Sequence, residues 1–154
     1  MWPAIAIGAM VLASVSTVVA VVALVAATSR SSTSSATSSS AAPSYSAAEV
    51  SAAHQKLCDA YKLAARAVQI DTNGDNPALA GVASVNAAVT LEQAVNAAPA
   101  IPSSDRTAAL ALAAAYTKAT AMGSWSQRDD PAFHAEVDDV NAKDAAMKTV
   151  CGLG

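Results

Sequence analysis

The chain is poor in residues that do chemistry. It holds two histidines, two cysteines and one phenylalanine in 154 residues. It contains no Gly-x-Ser-x-Gly elbow, no phosphate loop and no Cys-x-x-Cys pair, so the usual nucleophile, nucleotide and dithiol signatures are missing. Nine basic residues face twelve acidic ones, and a nucleic-acid-binding domain would present a basic surface instead. His54 and His134 fall near opposite ends of the helices read below, too far apart to share a metal ion within one monomer. These absences lead us to expect no enzymatic activity, no metal and no cofactor.

Charge is missing altogether from residues 2–27, WPAIAIGAMVLASVSTVVAVVALVAA. At ~1.5 Å per residue a helix of this length crosses the ~30 Å hydrocarbon core of a bilayer. A cleavable signal has a basic start and an apolar run of only ~7–15 residues. Here no Lys or Arg precedes the run, which is the expectation if the true start codon lies upstream. Residues 1–27 therefore read as a transmembrane anchor. Val25, Ala26 and Ala27 also satisfy a small-residue cleavage rule, so a signal peptide is the alternative. No cysteine lies near the segment, which excludes a lipoprotein anchor.

Residues 28–46 are dominated by serine and threonine, with Arg30 as the only charge. Such a stretch has too little apolar bulk to offset the entropy of ordering. It reads as a flexible linker reaching roughly 25 Å r.m.s., and Ser/Thr-rich stalks of exported proteins are also O-glycosylation sites.

Residues 47–154 read as four helices. Ser46 and Glu49 form a capping box, after which Val50, Ala53, Leu57, Tyr61, Ala64 and Val68 recur at helical spacing, to about Ile70. A turn at 71–76 follows. Its opening resembles a calcium loop, but positions six and twelve hold Asn76 and Val82 instead of glycine and glutamate, so a polar turn is expected. Asn76 and Pro77 open the second helix, with Val82, Val85 and Val89 marking its apolar face and Leu91 and Val95 widening it. Pro99 and Pro102 break the chain. Ser103 or Ser104 caps the third helix, which carries Leu112, Tyr116 and Ala119 inward, with Leu110 adding to that face, and stops at Gly123. Asp130 and Pro131 open the fourth. Its stripe is Phe133, Val137, Val140, Asp144, Met147 and Cys151, with Asp144 a misfit. Glu136, Asp138, Asp139 and Asp144, with Lys143 and Lys148, suit a solvated face.

Short loops between these helices predict an all-α fold, an antiparallel four-helix up-down bundle. Its alanine-rich core would be thin and would gain from a staple. In such a bundle the first and last helices are antiparallel neighbours, which brings Cys58 beside Cys151. We expect a disulfide there, and disulfides persist outside the cytoplasm. That argument overrides the weak positive-inside vote of Arg30 and puts the domain on the outer face of the cytoplasmic membrane.

The runs LCDAYKLAARAVQIDTNGDNPALA and DDVNAKDAAMKTVCG resemble small alanine-rich, single-pass membrane-anchored proteins of mycobacteria and related actinobacteria. The resemblance implies a cell-envelope location. A looser likeness is to mycobacterial haemophore-type proteins, which are exported, helical and disulfide-linked, but no haem motif carries over and Tyr61 and Tyr116 read as core residues.

Two functions follow. The first is a non-enzymatic interaction module binding an envelope or membrane protein. Its binding tip would combine Asp71, Asn73 and Asp75 with Trp125, Arg128 and Asp129, because both loops lie at the bundle end away from the linker. Trp125 is either a binding residue there or a plug folded into the bundle end. The second is a carrier or sensor of a small apolar ligand, haem-like or lipid-like, held between the helices. A large internal cavity would favour the second, and tight alanine packing the first.

Overall fold

The computed structural model describes residues 44–127 and 129–153. The anchor, most of the linker and Arg128 lie outside these residues. Four helices follow in order: α1 (Ala47–Thr72), α2 (Pro77–Ala97), α3 (Ser103–Gly123) and α4 (Pro131–Val150).

The start signals of three helices act as the sequence implies. The Ser46 hydroxyl accepts from the Glu49 N–H at 3.3 Å, and the Ser46 N–H donates to Glu49 Oε2 at 2.8 Å. These bonds, the one from the Ser46 backbone foremost, hold the Glu49 carboxyl below its usual range. Asn76 and Asp130 each accept from an N–H two residues on, ahead of a proline in the first turn. α3 differs. Pro102 occupies its cap position and offers no side-chain bond, while Ser103 is already helical. Proline fixes φ near the helical value and so starts the helix one residue before a serine could cap it. α1 runs two residues past Ile70; the Thr72 hydroxyl donates to the Val68 carbonyl, and the Asn73 amide donates to the Gln69 carbonyl, a group the helix end leaves open. Gly152, at φ 64°, lets the Leu153 N–H return to the Lys148 carbonyl at 2.8 Å, a glycine-terminated helix end. α3 ends at Gly123 as expected, though without a positive φ. A Cβ there would lie 3.4 Å from the Phe133 ring, so it allows α3 and α4 to approach closely.

Close packing joins α1 to α2, α2 to α3 and α3 to α4. The pairs that meet run in opposite register. Gly81 faces Thr120 while Arg106 donates to the Val95 carbonyl, and Lys118 pairs with Glu136 while Gly123 faces Phe133. Cys58 meets Cys151 and Tyr61 meets Asp144 in the same antiparallel sense between α1 and α4. The topology is up-down.

The face that α2 buries is Ala83, Ala87, Ala88, Leu91 and Val95. This corrects the expected face: Val82, Val85 and Val89 are 57, 42 and 44% exposed. On α2 the polar residues Asn86, Thr90, Glu92, Gln93 and Asn96 fall on the same side as those valines and turn it to solvent. The opposite, alanine-lined side lets the neighbouring helices approach closely and gain dispersion contact. On α3 Leu112 and Tyr116 are buried as expected, but Leu110 is exposed.

The two ends of the bundle are unlike. At one end Ile101, in the α2–α3 connection, is buried among the helices. Around it Arg106 donates to the carbonyls of Val95 and Ala98, His54 bonds Asp105 at 2.8 Å, and Cys58 and Cys151 are joined (S–S 2.06 Å, Cα–Cα 5.5 Å). Leu57, Leu91, Leu112 and Met147, all fully buried, fill this half. The opposite half has no such residues.

Candidate binding cleft

Facing positions in that second half carry Ala80, Gly81 and Ser84 on α2 and Ala119, Thr120 and Gly123 on α3. Small side chains on helices at ordinary separations leave space that the leucines fill elsewhere. These small residues line the second of two adjoining cavities. The first, about 830 Å³, runs between α1 and α4 and is bounded by Tyr61, Arg66, Tyr116, Asn141 and Asp144. The second, about 610 Å³, lies at the open end among all four helices, against Gly81, Ala119, Phe133 and Val137. Val68, Thr72, Tyr116, Val140 and Asn141 border both, so together they form one cleft.

Polar groups sit mainly in the first cavity. The Tyr61 hydroxyl donates to Asp144 Oδ1 at 2.7 Å, and Lys148 Nζ lies 2.8 Å from Asp144 Oδ2. Burial first, then the bond to Asp144 and its charge, push the Tyr61 phenol well above its ordinary pKa. Tyr116 is pushed up to about 12 by burial and by the charge of Asp144. Both phenols are therefore neutral at physiological pH. Three cations line the same cavity: Lys62, Arg66 and Lys148. Lys148 is engaged by Asp144, and Lys62 lies 3.4 Å from Asp59. Among the described residues Arg66 makes no ion pair. The second cavity is apolar but for the Asn141 amide and a few hydroxyls, of which Ser126 Oγ is buried without a hydrogen-bond partner.

Of the residues expected to matter, Cys58 and Cys151 are brought together. Asp71, in the last turn of α1, and the loops carrying Asn73, Asp75, Trp125 and Asp129 flank the open end, since Thr72 and Pro77 on one side and Ser124 and Ser126 on the other border the second cavity. Asp75 and Asp129 are exposed, Asp71 is half-buried, and the Asn73 amide is turned back to the Gln69 carbonyl. Trp125 is 69% exposed, so it does not plug the bundle end; Phe133, which borders the second cavity, packs toward Gly123 there instead.

One carboxylate departs from the expected solvated face. Glu136 is 4% exposed, pairs through Oε2 with Lys118 of α3, and leaves Oε1 without a partner. The pair raises the Lys118 pKa. Asp139 with Lys143 and Asp144 with Lys148 do pair along α4. Asp144 was the misfit of the apolar stripe, and the Tyr61 phenol accounts for it. That misfit was the one sequence signal pointing to the cleft. His54 and His134 lie at opposite ends of the bundle, and no cluster of three or more metal-ligating side chains occurs among the described residues. No protein family, curated protein or solved structure matches this chain.

Proposed function

We propose that this is a membrane-tethered, extracytoplasmic binding protein whose helical domain holds a small, largely apolar ligand in the cleft. The cleft itself carries the reading: each of its cavities, about 830 and 610 Å³, falls in the ~300–1,000 Å³ range of small-molecule sites, mostly apolar with a few placed polar groups. The uncharged run at 2–27 supports the tether, and the Cys58–Cys151 bridge supports an oxidising compartment. Native mass spectrometry of the full chain, released from membranes, tests it. The expected result is a co-purifying small molecule that is lost in Val137→Trp, whose indole fills the second cavity. A chain that carries nothing, and takes up no apolar probe, sinks the proposal.

A second reading, the protein-interaction module, is favoured by one observation. Leu79, Val82, Val85 and Val89 form an exposed apolar stripe along α2, the one described helix long and apolar enough to cross a membrane by length and composition. Crosslinking in native membranes, repeated with Val85→Lys, separates the readings: a captured protein lost in this variant favours the module.

A further inference from the structure

We propose that the ligand is an anionic amphiphile, its carboxylate or phosphate head at Arg66 and its apolar chain running past Tyr116 toward Phe133. The inference rests on the cleft being a ligand site and adds the chemistry and orientation of the occupant.

Three observations carry it. First, the cleft is graded. Its α1–α4 part holds the charged side chains, and its open-end part is walled by Val68, Ala119, Phe133, Val137 and Val140. A molecule polar at one end and apolar at the other matches that order in one direction only.

Second, the charges favour an anion. Three cations and one acid border the first cavity. Asp144, the acid, has Oδ1 taken by Tyr61 and Oδ2 by Lys148. It has little left with which to attract a cationic head. Arg66 has its guanidinium uncommitted among the described residues, with Lys62 one turn before it on α1. A planar guanidinium matches a carboxylate or phosphate through two parallel hydrogen bonds. With Lys148 paired to Asp144 and Lys62 to Asp59, the uncompensated charge here is that of Arg66, in a protein that is acidic as a whole.

Third, the groups between head and chain are neutral. Tyr61 and Tyr116 both stay protonated, so neither repels an anion. Tyr61 borders the first cavity and Tyr116 borders both.

The experiment uses the full chain in nanodiscs of zwitterionic lipid and four twelve-carbon probes. These are dodecanoate, dodecyl phosphate, dodecanol and dodecyltrimethylammonium, each with a photoreactive diazirine at the chain end. The expected result is that both anions label residues of α3 and α4 around Ala119, Phe133 and Val137 at least tenfold more than the alcohol or the ammonium. The better of the two anions identifies the head. Arg66→Glu, an exposed site whose folding is checked by circular dichroism, should cut anion labelling about tenfold and leave the alcohol unchanged. Val137→Trp should abolish labelling by every probe. Equal labelling by anion and alcohol, indifference to Arg66→Glu, or preference for the ammonium overturns the head-group assignment while leaving the cleft a ligand site. Labelling by none of the four overturns both.

Discussion

The Tyr61 hydroxyl and the Asp144 carboxylate, one on α1 and one on α4, meet at 2.7 Å across the cleft, with the Asp144 carbonyl 3.3 Å from the same hydroxyl. Where the other neighbouring helices pack along their lengths, this bond and the disulfide hold α1 to α4. Tyr61→Phe keeps the ring and removes the bond, and leaves a half-buried carboxylate with Lys148 alone. The expected loss is about 1–2 kcal/mol, read from urea unfolding. A midpoint equal to that of the parent would show that the bond is replaced by water at no cost.

Alkaline stability depends on the same residues. Tyr61 and Tyr116 both have folded-state pKa values above the ordinary 10.0, Tyr116 at about 12. A group raised on folding contributes stability that is complete below its unfolded pKa and is lost as pH rises through the folded one. Stability should therefore hold to about pH 10 and fall toward and beyond 12. In Tyr45→Phe these are the only phenols left. Its tyrosinate absorbance should stay flat through pH 10 and rise together with the loss of helical circular dichroism. A full rise near pH 10 in still-folded protein would contradict the burial of these rings.

Reduction of Cys58–Cys151 opens a loop spanning a sequence separation of 93. In the chain-entropy account this costs about 4–5 kcal/mol, a large share of the stability of a domain this size. Urea unfolding with and without reductant measures it, and coincident curves would mean the bridge is absent or idle. Free-thiol labelling of unfolded, unreduced protein should modify neither cysteine.

Lys118 and Glu136 should respond unequally to mutation. The glutamate is buried and the lysine is exposed. Lys118→Met strands a buried carboxylate and should lower Tm. Glu136→Leu leaves a lysine that water solvates, and should be neutral or stabilising. Calorimetry of the two variants decides; equal losses would argue against the asymmetry.

Trp125→Ala should leave the unfolding free energy nearly unchanged, within about 0.5 kcal/mol, as exposed substitutions do. A large loss would mean the indole packs inward after all. In the interaction reading the same variant should also remove partners from a pull-down.

The helices, their order and the disulfide are legible in the sequence because each rests on local chemistry: a capping box at Ser46, Asn-Pro and Asp-Pro starts, and one pair of cysteines at matched positions. The face of α2 is misread from Val82, Val85 and Val89 alone; the polar residues Asn86, Thr90, Glu92, Gln93 and Asn96 on the same side mark it as the solvent face. The burial of Glu136 is not legible, since its partner Lys118 is on α3 and the nearer lysines of α4 take other acids. The cleft is written in what one half of the bundle lacks. Gly81, Ser84, Ala119 and Gly123 lie on two helices, and only the antiparallel register aligns them. Of the expected tip, the placement of the two loops at one end is readable from topology, whereas the exposure of Trp125 depends on Phe133 occupying the space beside Gly123.

The disulfide lies at the end of the bundle away from the mouth of the cleft, and this makes it a pivot. Thr72 is fourteen helical positions beyond Cys58, a lever of ~21 Å at the helical rise. With the bridge intact α1 and α4 cannot part by translation at that end; they can only swing. A swing of about 10° displaces the tip of so long a lever by roughly 3–4 Å, comparable to the width of an alkyl chain, while the leucines near the pivot scarcely move. The Tyr61–Asp144 bond sits about one turn from the fulcrum along α1 and two along α4, where the same swing stretches it less than at the tip. The molecule is thus built like a clothes-peg: the pivot is covalent and the jaws are lined by small side chains.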